Sequence, residues 1–130
     1  MEGLAGNPAD EMAVNQANGW IEGDGGREIE VRQMRLDRAL GEAGIAPGFD
    51  LLAVDVDGME EQVFASFDLA QWRPRCMIVE LIEDSPGFVG HDRLIASAAR
   101  VRAAVDAAGY EPVYRDQGNT VFRHRASHPA

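Results

Sequence analysis

Two nearly unbroken apolar runs, LLAVDV at residues 51–56 and RCMIVELI at 75–82, constrain this chain more than any other feature. Runs of six to eight residues with so little polar alternation are the pattern of strands covered on both faces, as in a parallel sheet. Between them, residues 58–67 place Met59, Val63, Phe64 and Phe67 at helical core spacing, and Arg73-Pro74 ends the connection. After the second run, a turn at Ser85, Pro86 and Gly87 leads into a long helical stretch, 92–108. Its apolar stripe is Leu94, Ala98, Val101, Val105 and Ala108, and its wet face Arg93, Arg100, Arg102 and Asp106. Gly109 suits the left-handed position that follows a helix. Residues 110–114 and 120–123 read as short strands joined by a hairpin-like turn at 116–119.

Upstream, Ile29, Val31, Met34 and Leu36 alternate with Glu30, Arg32 and Arg35, which predicts a strand with one irregularity. Asp37 can then cap a short helix to Ala43, with Leu40 and Ala43 inward and Gly44 as its stop. The resulting order alternates strands and helices and ends in two strands. It predicts an α/β fold: parallel strands with crossover helices and a terminal antiparallel hairpin. Residues 1–27 are poor in apolar anchors and are expected to be poorly ordered, with one short helix at 9–15. Gly23, Gly25 and Gly26 precede a strand rather than open a helix, so they read as a flexible turn and not a phosphate loop. The expected domain is therefore 28–124, with a frayed tail at 125–130.

Twelve basic against twenty-two acidic residues give a formal net charge of −10. With the arginines dispersed, neither nucleic acid nor an anionic membrane surface is an expected partner. Cys76 is the only cysteine, which excludes an internal disulfide and a CxxC knuckle; its apolar flanks read as those of a buried thiol. The start has no leader pattern and no apolar run reaches the ~18–20 residues of a membrane span, so the expected compartment is the cytoplasm.

The chemistry concentrates at the end of the first apolar run. Ligand crevices of open α/β sheets lie outside the carboxyl ends of the strands. Asp55 falls there, and a carboxylate inside an apolar strand costs several kcal/mol unless it is compensated. Asp57 and Glu60 form Asp-x-x-Glu, which can serve as a helix capping box or as part of a site. Glu80, at the end of the second run, would line the same crevice, while Glu83 and Asp84 read as solvated loop charges. His91 precedes the long helix near that edge, either as a substrate-side acid or base or as a helix-start residue. His124 and His128 read as surface residues, and Trp72 and Phe88 as packing aromatics. Oxygen donors from Asp55, Asp57 and Glu80 would suit Mg²⁺.

Residues 50–60, DLLAVDVDGME, together with 35–40, RLDRAL, and 74–80, PRCMIVE, resemble the FkbM family of S-adenosylmethionine-dependent methyltransferases. Gly109-Tyr110 and the NTVF of 119–122 extend the likeness, which runs from about Ile29 to His124. Ala53 stands where the family usually has Lys, and Asp57 where it has Glu. The resemblance implies a Rossmann-like methyltransferase sheet, of which 51–56 and 75–82 would be the fourth and fifth strands and the final hairpin the sixth and seventh. It implies S-adenosylmethionine as cofactor and a small-molecule hydroxyl, of a sugar or natural product, as methyl acceptor. Asp55, Asp57 and Glu60 would be the catalytic group, and Glu80 and His91 the substrate side. Nothing before Ile29 reads as the family's glycine-loop strand, so the chain is expected to be the C-terminal half of such a domain. The competing expectation is a non-catalytic half-domain that binds a second copy or a partner chain along the open flank of the 51–56 strand.

Overall fold

The structure is a computed structural model and describes residues 29–127. The predicted helix at 9–15, the glycine turn at 23–26 and His128 lie outside them. The first described element is a helix, α1, Leu36–Glu42. Residues 29–35 are irregular, and Ile29 and Val31 are 72% and 76% exposed, so the strand predicted there is not present. Alternation creates a strand only where a neighbour accepts its hydrogen bonds, and no described strand pairs with this segment. Asp37 does not cap α1 either. The cap position is Arg35, which makes no side-chain capping bond; its guanidinium instead lies on the Asp37 carboxylate. Leu40 is buried as expected but Ala43 is exposed.

Strand β1, Leu51–Val54, is followed by the helices α2, Glu60–Ala65, and α3, Leu69–Trp72. The composition around α3 gave little sign of a helix. Asp68 starts it by accepting from the amides of Ala70 and Gln71, and the left-handed Arg73 ends it before Pro74. Strand β2, Cys76–Glu80, leads through a 3₁₀ turn, Pro86–Phe88, into α4, Asp92–Ala107. The closing hairpin is β3, Tyr110–Arg115, and β4, Asn119–His124.

The sheet order is β1-β2-β4-β3. β1 and β2 are parallel, while β4 runs antiparallel to both β2 and β3. The hairpin therefore folds back so that its second strand, not its first, joins the parallel pair. β1 keeps one flank unpaired among the described strands.

The reading of both apolar runs as strands covered on both faces is corrected by the burial pattern. Leu52, Val54, Met77, Val79, Thr120 and Phe122 share one face, and all are buried or half-buried. That face meets Ala98, Val101 and Val105 of α4, with Phe67, Leu69 and Tyr110 completing the core. The alternate residues Leu51 and Ile78 are 54% and 37% exposed, and Cys76 is only half-buried. The described helices contribute their core side chains to one face, so the strands alternate as half-covered strands do. Ile82, Phe88 and Leu94 form a second, small cluster under the 3₁₀ turn.

Tyr110 ties the hairpin to the far end of β2. Gly109, at φ +94°, turns the chain out of α4, and a Cβ there would stand 3.3 Å from Nε2 of His124. Tyr110 is then fully buried, its hydroxyl donating to the carbonyl of the buried Pro74 at 2.6 Å and its ring edge-on to His124. Burial pushes the phenol pKa up to about 12. Tyr110→Phe leaves that carbonyl without its donor and is expected to cost about 1–3 kcal/mol in urea unfolding with an unchanged m value.

Candidate active site

Parallel strands bring their carboxyl ends side by side, and the register fixes which residues meet. Val54 pairs with Val79, so Asp55, the first residue beyond β1, stands next to Glu80, the last of β2. Two left-handed residues follow, Asp57 at φ +50° and Gly58 at φ +93°, and they swing the chain from the strand into α2. Aspartate tolerates that conformation better than most side chains because its short polar group can bond locally. The turn aims Asp57 back toward the strand ends. One carboxylate oxygen from each of Asp55, Asp57 and Glu80 lies within 4.8 Å of the others.

The three residues differ in setting: Asp55 and Asp57 are exposed and Glu80 is half-buried. The expectation of a desolvated Asp55 inside the strand is thereby corrected, because β1 ends at Val54 and the carboxylate emerges into solvent. Its interest lies in its company rather than its burial. Carboxyl groups this close favour between them a cationic centre or donor groups such as hydroxyls.

Glu60 stands apart from that group. It is 8% exposed at the start of α2, and its carboxylate accepts the backbone N–H of Val56 at 3.0 Å. The amides of Gly58 and of Glu60 itself lie near enough to favour its charged form. The expected cap at Asp57 is absent: the cap position is Met59, without a side-chain bond, because the two left-handed residues delay the helix to Glu60. Burial, opposed by these amides and assisted by the nearby Asp55 charge, raises the Glu60 pKa above the ordinary glutamate value. A raised acid stabilises the fold fully below the unfolded value of 4.5 and loses that contribution as pH rises through the native value. Glu60→Gln is therefore expected to flatten the decline of melting temperature from pH 4 to pH 8. Parallel curves for the two proteins would contradict this.

His91 occupies the cap position of α4, exposed, with its ring edge-on to Phe88 at 6.4 Å. It is not a member of the carboxylate group. Phe88 and Trp72 pack inward, as expected of them.

Two features at this edge escaped the sequence. Asn119 pairs with Glu80 across β4 and β2, and its turn is held by Asp116, whose Oδ1 accepts the amides of Gly118 and Asn119 and whose carboxyl those amides keep below the usual range. The sequence signals were the turn at 116–119 and the family-like NTVF of 119–122, and neither places Asn119 beside Glu80. Glu83, expected in solvent, has a side chain 11% exposed and takes the guanidinium groups of both Arg102 and Arg115. Arg102 is likewise not on a wet face: it also reaches Thr120 and lies over the Phe122 ring at 5.6 Å. Asp84, paired with Arg115, stays exposed as expected. The network anchors the loop that follows Glu80.

A family model described as the methyltransferase FkbM domain matches residues 4–112. The chain belongs to this family. Comparison with curated proteins and with solved structures returned no match. The FkbM match begins well before Ile29, where the sequence resemblance starts, and stops ahead of the turn that carries Asn119. In this FkbM-family chain the Asp55 loop, β2 and the whole of α4 lie inside the matched region. No helix among the described residues is long and apolar enough to cross a membrane.

Proposed function

We propose that the chain is an S-adenosylmethionine-dependent O-methyltransferase acting on a hydroxyl of a sugar or natural product. The observation that carries this reading is the convergence of Asp55, Asp57 and Glu80 at the carboxyl ends of two parallel strands in a methyltransferase-family chain. The sheet order, with an antiparallel strand inserted between β2 and the edge strand, supports a Rossmann-like methyltransferase sheet.

S-adenosylmethionine supplies an electrophilic methyl on a positively charged sulfur. The donor set suits both that charge and the acceptor: carboxylate oxygens attract a cation and accept hydrogen bonds from hydroxyls. Asp55 holds the acceptor hydroxyl by taking its hydrogen bond and receives its proton as the oxygen becomes nucleophilic. Asp57 and Glu80 fix the hydroxyl's direction, and orientation of this kind lowers the barrier by restricting approach to the productive line. The same oxygens suit Mg²⁺, so a metal requirement would appear as transfer lost to EDTA and restored by Mg²⁺.

The test is transfer of labelled methyl from S-adenosylmethionine by the full chain to a panel of polyhydroxylated acceptors. Label in an alkali-stable ether is the expected product. Label released by mild alkali as methanol would mean carboxyl rather than hydroxyl methylation and would contradict the reading.

A second reading, a non-catalytic module that pairs through the flank of β1 left unpaired among the described strands, is favoured by the place of β1 at the edge of the described sheet. It predicts a dimer in sedimentation that a Leu51→Lys change dissociates.

A further inference from the structure

We infer that Glu60 is a positioning residue, whose buried carboxylate clamps the left-handed loop between β1 and α2 and so holds Asp55 and Asp57 against Glu80. The inference rests on the proposed methyl transfer only for its consequence in rate; the clamp itself stands on geometry.

The loop needs such a clamp. Asp57 and Gly58 both have positive φ, and two successive left-handed residues form no repeating hydrogen bonds of their own. Val56 lies beyond the end of β1 and before α2, so its amide has no ladder partner, and an amide without an acceptor is costly. Glu60 supplies the acceptor for Val56, four residues back along the chain. A second bond, from the Met59 amide to the Val56 carbonyl at 3.2 Å, closes the turn from the other side. Glu60 is thus fixed at the start of α2, with one oxygen held by the backbone. A carboxylate this buried and bonded to the backbone is not open to substrate. The role differs from that of Asp55 and Asp57, which are exposed, and it explains why a burial-disfavoured acid sits at this helix start.

Reach, rather than charge, is the property required. Glu60→Asp keeps the charge but withdraws the carboxylate by one methylene, out of range of the Val56 amide. Glu60→Gln gives up the charge but keeps an acceptor oxygen at the same reach. Both are small changes that the fold should tolerate.

The deciding experiment is residue-resolved amide hydrogen exchange on the full chain, in wild type and both variants. Val56 is expected to exchange at least about tenfold faster in Glu60→Asp, the loss of one hydrogen bond's protection. The amides of Met77 and Val79 in β2 should be unaffected, and Glu60→Gln should retain most of the loop's protection. Methyl transfer should follow the same order, with kcat falling in Glu60→Asp, KM for the acceptor little changed, and glutamine restoring the rate. A Glu60→Asp loop as protected as wild type would overturn the inference, as would equal acceleration at β2. If wild type and variants alike transfer no methyl, exchange still decides the clamp, and it is the methyltransferase reading that fails.

Discussion

Phe122→Ala is expected to remove about 3–5 kcal/mol of stability, a large part of the roughly 5–15 kcal/mol that holds a domain of this size. Phe122 is 2% exposed in β4, the strand that joins the parallel pair to the hairpin. Its register partner Met77 is fully buried, and Val101 and Val105 of α4 belong to the same cluster. Alanine would leave a cavity where sheet and helix meet, and the surrounding strands are paired and cannot collapse into it. The ring also supports the Arg102 guanidinium, so its loss loosens the Glu83 network behind the site. At roughly 4–8 °C per kcal/mol, melting should fall by about 12 °C or more. Val113→Ala, at a half-exposed position of the same hairpin, is the control and should stay within about 0.5 kcal/mol. Similar losses for the two would mean that the core is not centred on β4 and α4.

Asp55→Asn carries the largest expected effect on activity. The exchange conserves shape and leaves an exposed position uncharged, so melting should move little. An amide cannot receive the proton of a hydroxyl, and general-base groups typically contribute 10²–10⁴ in rate. A fall in kcat/KM of at least about 10² is therefore expected, most of it in kcat. Asp57→Asn, which removes charge but keeps a residue tolerant of positive φ, should cost less. The ordering separates a proton acceptor from a group that only orients, and a reversed ordering would exchange the two roles.

The sequence conveyed β1, β2, α4 and the hairpin because each rests on a local rule: apolar strand runs, a helical stripe that Gly109 closes, and a turn rich in polar residues. It failed where the outcome depends on who stands beside a segment. Ile29 and Val31 alternate as a strand does, yet no described strand pairs with them. Leu51 and Ile78 look like core by type, but the described helices pack on the opposite face. Glu83 looks solvated because its partners, Arg102 and Arg115, are 19 and 32 residues away in the chain.

The candidate site was legible in its members and not in their arrangement. Asp55, Asp57 and Glu80 were identifiable from their places at strand ends, and the parallel register explains why they meet. The division of labour was not legible, since VDVDGME reads equally as a capping box and as a catalytic group. It takes the left-handed turn at Asp57 and Gly58 to separate the exposed acids from Glu60. Asn119 was hidden for another reason: its place beside Glu80 depends on the long-range pairing of β4 with β2.

The central claim is that the carboxylates at the ends of β1 and β2 serve methyl transfer. Its most direct test is a side-by-side measurement of labelled methyl transferred from S-adenosylmethionine to a hydroxyl acceptor by wild type and Asp55→Asn of matched melting temperature. The prediction is ether product from wild type and at least about a hundredfold less from the variant. Equal transfer by the two proteins would contradict it.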